Sequence, residues 1–116
     1  MSFAENTEKL VKELIQAEYN NACENFGETF HSLHEGYAVL LEEVEESENE
    51  FARIKTELSF LWSNIKYNGG HRIKSNLDVL QKYTQNTIKE LAQVGAVLMK
   101  IENTLEKKNT IDEVEE

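Results

Sequence analysis

The chain contains few of the residues that interrupt regular secondary structure. Its 116 residues include no Pro, five Gly and a single Cys. So few turn-forming residues exclude a β-sandwich with its many tight turns. The lone Cys23 has no partner for an internal disulfide, which favours a reducing compartment. No apolar run approaches the length of about 18 residues that a membrane span requires, so we expect a cytoplasmic protein with no membrane partner.

Basic residues are also scarce, because 12 Lys and Arg stand against 22 Asp and Glu, for a formal net charge of −10. This balance argues against a nucleic-acid partner, which would require a basic face. It permits divalent cations or basic proteins as partners. The length suits one core, so we predict a single helical domain over residues 1–108 and an acidic, frayed tail over residues 109–116.

Three segments carry the 3.6-residue periodicity of amphipathic helices. The first spans residues 2–25 and begins with Ser2-x-x-Glu5, the spacing of a capping box, while Gly27 predicts its end. The second is predicted over residues 29–67 and the third from residue 75. Along the second and third segments, apolar positions alternate at spacings of three and four residues. Examples in the second segment are Phe30, Leu33, Tyr37, Leu40 and Val44. Examples in the third are Leu91, Val94, Leu98, Ile101 and Leu105.

The connection between the two long helices is the one strong turn signal, Tyr67-Asn-Gly-Gly-His-Arg72, in which two glycines offer positive φ. A short turn makes consecutive long helices antiparallel neighbours. The predicted fold class is therefore all-α, an antiparallel bundle with a shorter N-terminal helix. Leu41 and Trp62 widen the apolar stripe beyond what one hairpin can bury, so we expect a homo-oligomer, either a dimer or a tetramer.

A dense acidic run, residues 42–50, lies in the second helix. With Tyr37 at heptad position a, Glu43 and Glu46 take positions g and c beside the seam. On the third helix, with Leu77 at a, Glu90 and Gln93 take the same two positions. A turn centred between Gly69 and Gly70 places Glu46 level with Gln93, at similar height to Glu43 and Glu90.

Three converging carboxylates would repel one another unless a cation lies between them. The seam is also polar at this height, where Ser47, Thr84 and Thr87 interrupt the apolar positions, so we predict a hydrated cleft. Carboxylate and amide oxygens are the ligands that Mg²⁺ prefers, and Mn²⁺ accepts the same donors. The residues therefore predict a metal site formed by Glu43, Glu46, Glu90 and Gln93.

The run Glu42-Glu43-x-x-Glu46, followed on an antiparallel helix by Glu90-Leu-Ala-Gln93-Val, resembles the MazG-like all-α nucleoside triphosphate pyrophosphohydrolases. That family carries an EExxE motif and a later ExxD motif. The likeness covers residues 30–105, with the two motifs as its specific part, and it is similar to small phage- or prophage-encoded members. Gln93 stands where the family has Asp, and the two motifs are further apart than in typical members.

The resemblance implies Mg²⁺-dependent cleavage of a nucleoside triphosphate to the monophosphate and pyrophosphate. It implies catalytic roles for Glu42 and Glu43, and metal binding by Glu43, Glu46 and Glu90, with Gln93 completing the shell. Trp62 and Lys66 are weaker candidates for contacting the substrate's base and phosphates. The chemistry of Gln93 differs from that of the family's Asp, because an amide can ligate a cation but cannot act as a base.

Two other functions fit the same residues. The seams could drive oligomerisation of a non-enzymatic interaction protein, with the acids providing solubility. Alternatively, the acids could be displayed outward as a decoy that mimics DNA. Of the remaining candidates, we interpret His31-x-x-His34-Glu35 as a helix-start and surface group, because its order and spacing match no zincin motif. Cys23 is interpreted as a small apolar residue of the core.

Overall fold

The computed structural model describes the backbone of residues 2–115 and the side chains of residues 2–109. It contains three helices, α1 (Phe3–Phe26), α2 (Leu33–Lys66) and α3 (Gly70–Glu115), and no strand within the described residues. The all-α prediction is confirmed. Because α3 continues to Glu115 and the side chains of 110–116 lie outside the described part, the frayed tail stays a prediction.

Both ends of α1 follow the sequence signals. The Ser2 hydroxyl accepts a hydrogen bond from the Glu5 backbone N–H at 3.2 Å, and Glu5 accepts one from the Ser2 N–H at 2.9 Å. These reciprocal bonds form the predicted capping box and satisfy two helix-terminal N–H groups. At the other end Gly27 has φ 83° and donates to the Cys23 carbonyl. A side chain would be strained at that backbone angle, which explains why the helix ends at a glycine.

The start of α2 differs from the prediction by four residues, since the helix begins at Leu33 and not at residue 29. Ser32 caps it by accepting a hydrogen bond from the Glu35 N–H at 3.1 Å. The Phe30 N–H is instead bonded to the Thr104 hydroxyl of α3 at 2.9 Å. This tertiary hydrogen bond holds residue 30 outside the helix, and periodicity alone gives no sign of it.

The turn between α2 and α3 is tighter than predicted. Asn68 takes the left-handed conformation with φ 56°, whereas Gly70 already opens α3, five residues before the predicted start. Asn tolerates this region because its short polar side chain can bond locally. The earlier turn moves the register of the hairpin, so that Glu46 lies opposite Glu90 and not opposite Gln93 as predicted. The displacement is just under one helical turn.

The chain divides into two compact units. We call Met1–Glu43 with Ala92–Glu116 the three-helix unit, and Val44–Leu91 the hairpin unit. The three-helix unit comprises α1, the first part of α2 and the last part of α3. The hairpin unit comprises the rest of α2, the turn and the first part of α3. Among the described residues, no helix has both the length and the apolarity needed to cross a bilayer.

Small residues permit close helix packing in the three-helix unit. Ala92 and Ala96 are its buried apolar residues, at 4% and 5% exposure. A Cβ added at Gly95 would lie 2.9–3.0 Å from three side-chain atoms of Ile15, which shows how closely α1 approaches α3. A Cβ added at Gly36 would lie 2.9 Å from Ile101. Glycine is therefore required at both positions by the neighbouring helix and not by the local backbone.

A polar network holds the two helices of the hairpin unit together near the turn. Asn76 is 7% exposed, and its amide oxygen accepts a hydrogen bond from Asn64 Nδ2 at 2.7 Å. Its own Nδ2 donates to Glu57 Oε1 at 2.8 Å. Because each end of the buried amide has a partner across the hairpin, the network stabilises the fold and fixes the register.

We expect Gly95→Ala to destabilise the protein by about 1 kcal/mol, because the new methyl overlaps Ile15. Helix propensity alone predicts the opposite, namely that replacing Gly by Ala raises the free energy of unfolding by about 1 kcal/mol. Urea unfolding followed by circular dichroism measures the sign. The control is Gly70→Ala, where an added Cβ meets nothing within 4 Å. In an Ile15→Ala background the Gly95→Ala penalty should vanish; a penalty that persists there would mean that Ile15 is not its cause.

Asn76→Ala should lower the free energy of unfolding by about 1–3 kcal/mol, because it leaves Asn64 and Glu57 without their partner. Asn49, exposed on α2, provides the matched control. Asn49→Ala should change stability by less than about 0.5 kcal/mol. Equal effects of the two substitutions in thermal or urea unfolding would contradict a stabilising network at Asn76.

Candidate functional site

Two carboxylates from facing helices lie close together in the hairpin unit, the exposed Glu46 and the half-buried Glu90, and the charge of half-buried Glu50 acts on Glu90. We call Glu46, Glu50 and Glu90 the acidic cluster. Glu46 and Glu50 lie one turn apart on α2, and Glu90 lies opposite them on α3. Carboxylate oxygens of Glu46 and Glu90 lie within 4.8 Å of each other, and the two side chains share a hydrogen bond. Two carboxylates this close favour a proton on one of them or a cation between them.

The pKa of Glu90 is raised above its ordinary value. Burial is the main cause, because it removes water from the charged form, and the negative charge of Glu46 adds to it. The hydrogen bond from Glu46 and the charge of Glu50 act in the same direction, while neighbouring Lys89 opposes them. Glu90 is thus the group at which proton and cation compete most directly.

Glu50 contributes a buried oxygen to the acidic cluster. Its Oε2 is enclosed and accepts no hydrogen bond from the described residues. Its Oε1 lies 3.5 Å from Arg53 Nη1, and Arg53 in turn lies 6.0 Å from the ring centre of Tyr83. Sequence reasoning counted Glu50 in the acidic run but did not assign it to the site. The signal was present, since Glu50 repeats the g position of Glu43 one heptad later.

Glu43 and Gln93, the other two predicted ligands, belong to the three-helix unit. Glu43 precedes Glu46 by three residues on α2 and is half-buried. Gln93 follows Glu90 by one turn of α3 and is also half-buried. The predicted spacing therefore holds along each helix. That these four side chains ligate a metal stays a prediction.

A cavity of about 530 Å³ lies within the three-helix unit, with both Glu43 and Gln93 in its wall. Its lining includes Phe30 and the buried Lys100, which is 8% exposed. The Lys100 ammonium lies 4.4 Å from the Phe30 ring centre and donates to the Phe26 carbonyl at 3.4 Å. The volume falls in the range of small-molecule sites, about 300–1,000 Å³. The cavity thus offers aromatic, cationic and acidic groups together.

The seam itself is closed where the sequence predicted a cleft. Ser47 and Thr87 are buried, at 6% and 8% exposure, and the Thr87 hydroxyl donates to the Tyr83 carbonyl of its own helix at 2.8 Å. Thr84, the third polar position of the seam, is exposed. The seam is thus closed at Ser47 and Thr87, and a hydrated cleft beside it stays a prediction.

The remaining predicted site residues lie away from the acidic cluster. Trp62 and Lys66 contact each other, with the ammonium 5.6 Å from the Trp62 ring centre. Trp62 lies sixteen residues beyond Glu46, which is about 24 Å along α2. That Trp62 and Lys66 contact a substrate stays a prediction. Glu42 is exposed on α2 and lies outside the cluster.

The histidine and cysteine candidates take structural positions. His31 precedes α2, and its backbone N–H donates to Glu35 Oε1 at 3.4 Å. His34 is exposed in the first turn of α2. Cys23 is half-buried and hydrogen-bonds Tyr19, which raises the pKa of the Tyr19 hydroxyl. Tyr19 also accepts a hydrogen bond from Asn103 of α3. These contacts position α1 within the three-helix unit.

Comparison of the chain with family models, with curated proteins and with solved structures gave no match. The candidate site therefore has to be judged on its own donor set.

The donor set fits a hard divalent cation. Glu46 and Glu90 present carboxylate oxygens from two helices, and the buried Glu50 Oε2 has a free lone pair. Mg²⁺ and Mn²⁺ bind such oxygens and retain water in their other positions. A cation placed between Glu46 and Glu90 would offset the repulsion of their charges.

The raised pKa of Glu90 predicts a specific pH dependence in the absence of metal. A carboxyl whose pKa is higher folded than unfolded stabilises the fold at low pH, and this contribution is lost as pH rises through the folded pKa. We expect Glu90→Gln to gain stability relative to wild type as pH rises from about 4, where an unfolded Glu ionises, towards about 7. Urea unfolding with a chelator present measures this difference.

The control for charge removal is Glu42→Gln, which deletes an exposed carboxylate of the same run. Its stability relative to wild type should change little over the same pH interval. The stability difference between Glu90→Gln and wild type should grow as pH rises. A difference that stays constant or shrinks would contradict the assigned environment of Glu90.

Proposed function

We propose that the chain is a Mg²⁺-dependent nucleoside triphosphate pyrophosphohydrolase of the MazG-like type, releasing the monophosphate and pyrophosphate. The observation that supports this proposal most directly is the hydrogen-bonded pair Glu46 and Glu90, carried by two antiparallel helices. Their carboxylate oxygens lie within 4.8 Å, and the charge of Glu50 adds to that of Glu46 at Glu90, so a cation between them would offset like-charge repulsion.

The proposed ligands within the hairpin unit are Glu46 and Glu90. The resemblance adds Glu43 of α2 and Gln93 of α3 to the proposed set, and Gln93 would supply a neutral oxygen. A bound Mg²⁺ would polarise a phosphoryl oxygen and lower the pKa of a bound water. Glu50 supplies further negative charge close to Glu90, which raises the affinity of the cluster for a divalent cation.

The cavity of the three-helix unit supports a nucleotide as the substrate. Its volume suits a ligand of that size, and the Phe30 ring offers a surface for stacking. The Lys100 ammonium is the basic group of the cavity wall and could contact a phosphate oxygen. Because the wall also carries Glu43 and other carboxylates, a triphosphate would bind as its magnesium complex and not as the free anion.

The chain's own catalytic contribution would be proton transfer by a carboxylate. In hydrolysis, water oxygen bonds to phosphorus, the bridging P–O bond breaks, and pyrophosphate leaves with the bonding electrons. We assign the water proton to Glu43 in preference to Glu42, because Glu43 lines the cavity whereas Glu42 is exposed. Gln93 cannot take this role, since an amide is not a base at neutral pH.

Calorimetric titration with Mn²⁺ tests the metal site before any substrate is chosen. We expect saturable binding to wild type. Glu46→Gln and Glu90→Gln should bind Mn²⁺ at least roughly tenfold more weakly, because even residues that only support a metal ligand cost about 10–100-fold in affinity when they are replaced. Glu48→Gln, exposed on the same helix, is the control and should bind like wild type. Equal binding by all four proteins would refute the site.

Pyrophosphate release from a panel of nucleoside triphosphates then tests the activity. Turnover that is lost in Glu43→Gln and retained in Glu48→Gln would support the proposed reaction. Metal binding without turnover would leave the site intact and refute the activity, and Gln93→Asp would then show whether the missing carboxylate is the cause. If the protein neither bound metal nor turned over a nucleoside triphosphate, the non-enzymatic interaction protein would be the better interpretation.

A further inference from the structure

Helix α1 has an apolar face that no other helix of the three-helix unit covers. Its packed face meets α3, where Ile15 lies against Gly95. On a 3.6-residue helix, the side chains of Phe3, Leu10 and Leu14 lie roughly a third of a turn round from Ile15. These three side chains are 88%, 64% and 39% exposed, and none of the residues of α1 is buried. The helix therefore presents apolar groups on a second side that faces solvent.

The exposed side chains follow the spacing of a coiled-coil seam. With Phe3 at heptad position d, the seam positions follow one another at intervals of four and three residues, and all of them are exposed. We call them the α1 seam: Phe3, Thr7, Leu10, Leu14, Ala17 and Asn21. The Thr7 hydroxyl donates to the Phe3 carbonyl at 3.0 Å, so it needs no polar partner across the seam. This pattern predicts that a second helix can pack along α1.

The charges that border the α1 seam are all negative. Positions e and g, which set partner choice in coiled coils, hold Glu13 and Glu18 and otherwise only uncharged residues. Lys9 and Lys12 lie further round, at positions c and f, and pair with Glu13 and Glu8 of their own helix at 4.0 and 3.1 Å. Exposed pairs of this kind are weak, so Glu13 stays available to a cation on another chain.

The three-helix unit as a whole has the same sign. It carries five basic and fifteen acidic residues, whereas the hairpin unit carries seven of each. If two copies paired in parallel through the α1 seam, Glu13 of each would meet Glu18 of the other. In an antiparallel pair, no basic residue at e or g could face either acid. A second copy therefore gains no charge attraction at this seam, and facing acids oppose it.

A lipid surface suits the α1 seam no better than a second copy does. Helices that lie in a membrane interface have Lys and Arg beside their apolar face, and α1 has Glu13 and Glu18 there. A partner helix with Lys or Arg at its own e and g positions would instead be attracted both by these two carboxylates and by the charge of the three-helix unit.

We propose that the α1 seam is the docking site for an amphipathic helix of another protein, with apolar residues at a and d and Lys or Arg at e and g. From Phe3 to Asn21 the seam is roughly 27 Å long, so a partner helix of about three heptads covers it. Phe3, Leu10 and Leu14 would supply the apolar contacts, and Glu13 and Glu18 would select the basic partner. The α1 seam shares no residue with the acidic cluster, so this docking site is independent of the proposed metal site.

Two synthetic peptides of about three heptads test the proposal. Both have Leu at positions a and d; positions e and g hold Lys in one peptide and Glu in the other. Repulsion between these like charges keeps each peptide from pairing with itself. Fluorescence anisotropy of the labelled peptides measures their binding to the whole protein. We expect saturable binding of the Lys peptide and at least roughly tenfold weaker binding of the Glu peptide, because facing like charges suppress the wrong partner.

Exchange of the flanking charges separates the α1 seam from the general charge of its unit. The double variant Glu13→Lys with Glu18→Lys should reverse the preference, so that the Glu peptide binds roughly tenfold more tightly than the Lys peptide. The control is Glu28→Lys with Glu102→Lys, which makes the same change in net charge at two exposed positions of the same unit. This control should keep the preference of wild type.

Replacement of an apolar seam residue tests the other half of the interface. Leu10→Ser should weaken binding of the Lys peptide roughly tenfold, as the loss of a central apolar contact does. The control is Leu41→Ser on α2, which makes the same change at a side chain that is 44% exposed in the same unit. It should bind like wild type. Both leucines are exposed, so neither substitution removes a core contact.

Three results would overturn the proposal. Equal binding of the two peptides to wild type would show that the flanking acids select no partner. Equal loss of the Lys peptide in the two double variants would show attraction to the acidic unit in general. A lower mass of Leu10→Ser than of wild type in sedimentation equilibrium would show that a second copy occupies the α1 seam; an unchanged mass supports a seam that is open to another protein.

Discussion

The close antiparallel packing of α2 and α3 is the constraint on which the other features depend. Small residues permit it, since Gly36 leaves room for Ile101 in the three-helix unit, and Ser47 and Thr87 are buried in the hairpin unit. Larger side chains at these positions would separate the helices. At this spacing, side chains beside the seam are forced into contact with those of the facing helix, whatever their charge.

The acidic cluster is a consequence of that packing. Glu46 and Glu90 flank the seam on facing helices, so their carboxylates come within 4.8 Å of each other. Burial is the main cause of the raised pKa of Glu90, and the charge of Glu46 adds to it. The convergence of these acids is the observation from which we infer a cation.

The same hairpin has an opposite side, where packing leaves apolar groups uncovered. Positions a and e of the hairpin unit expose apolar side chains such as Phe51, Leu58 and Trp62, on the side of the seam opposite the acidic cluster. Side chains left in water gain little from the hydrophobic effect, so this side contributes less to stability than the buried seam does.

The sequence by itself determined the helices, their caps at Ser2 and Gly27, the antiparallel topology and the pairing of acids along each helix. These are local properties, set by periodicity and by hydrogen bonds within a few residues. Only the tertiary structure decided that Phe30 bonds Thr104, that Asn68 and not a glycine makes the turn, and that Glu90 meets Glu46. It also brought the charge of Glu50 to bear on Glu90. Such contacts depend on the register between distant segments, which a shift of one turn alters while every local signal stays the same.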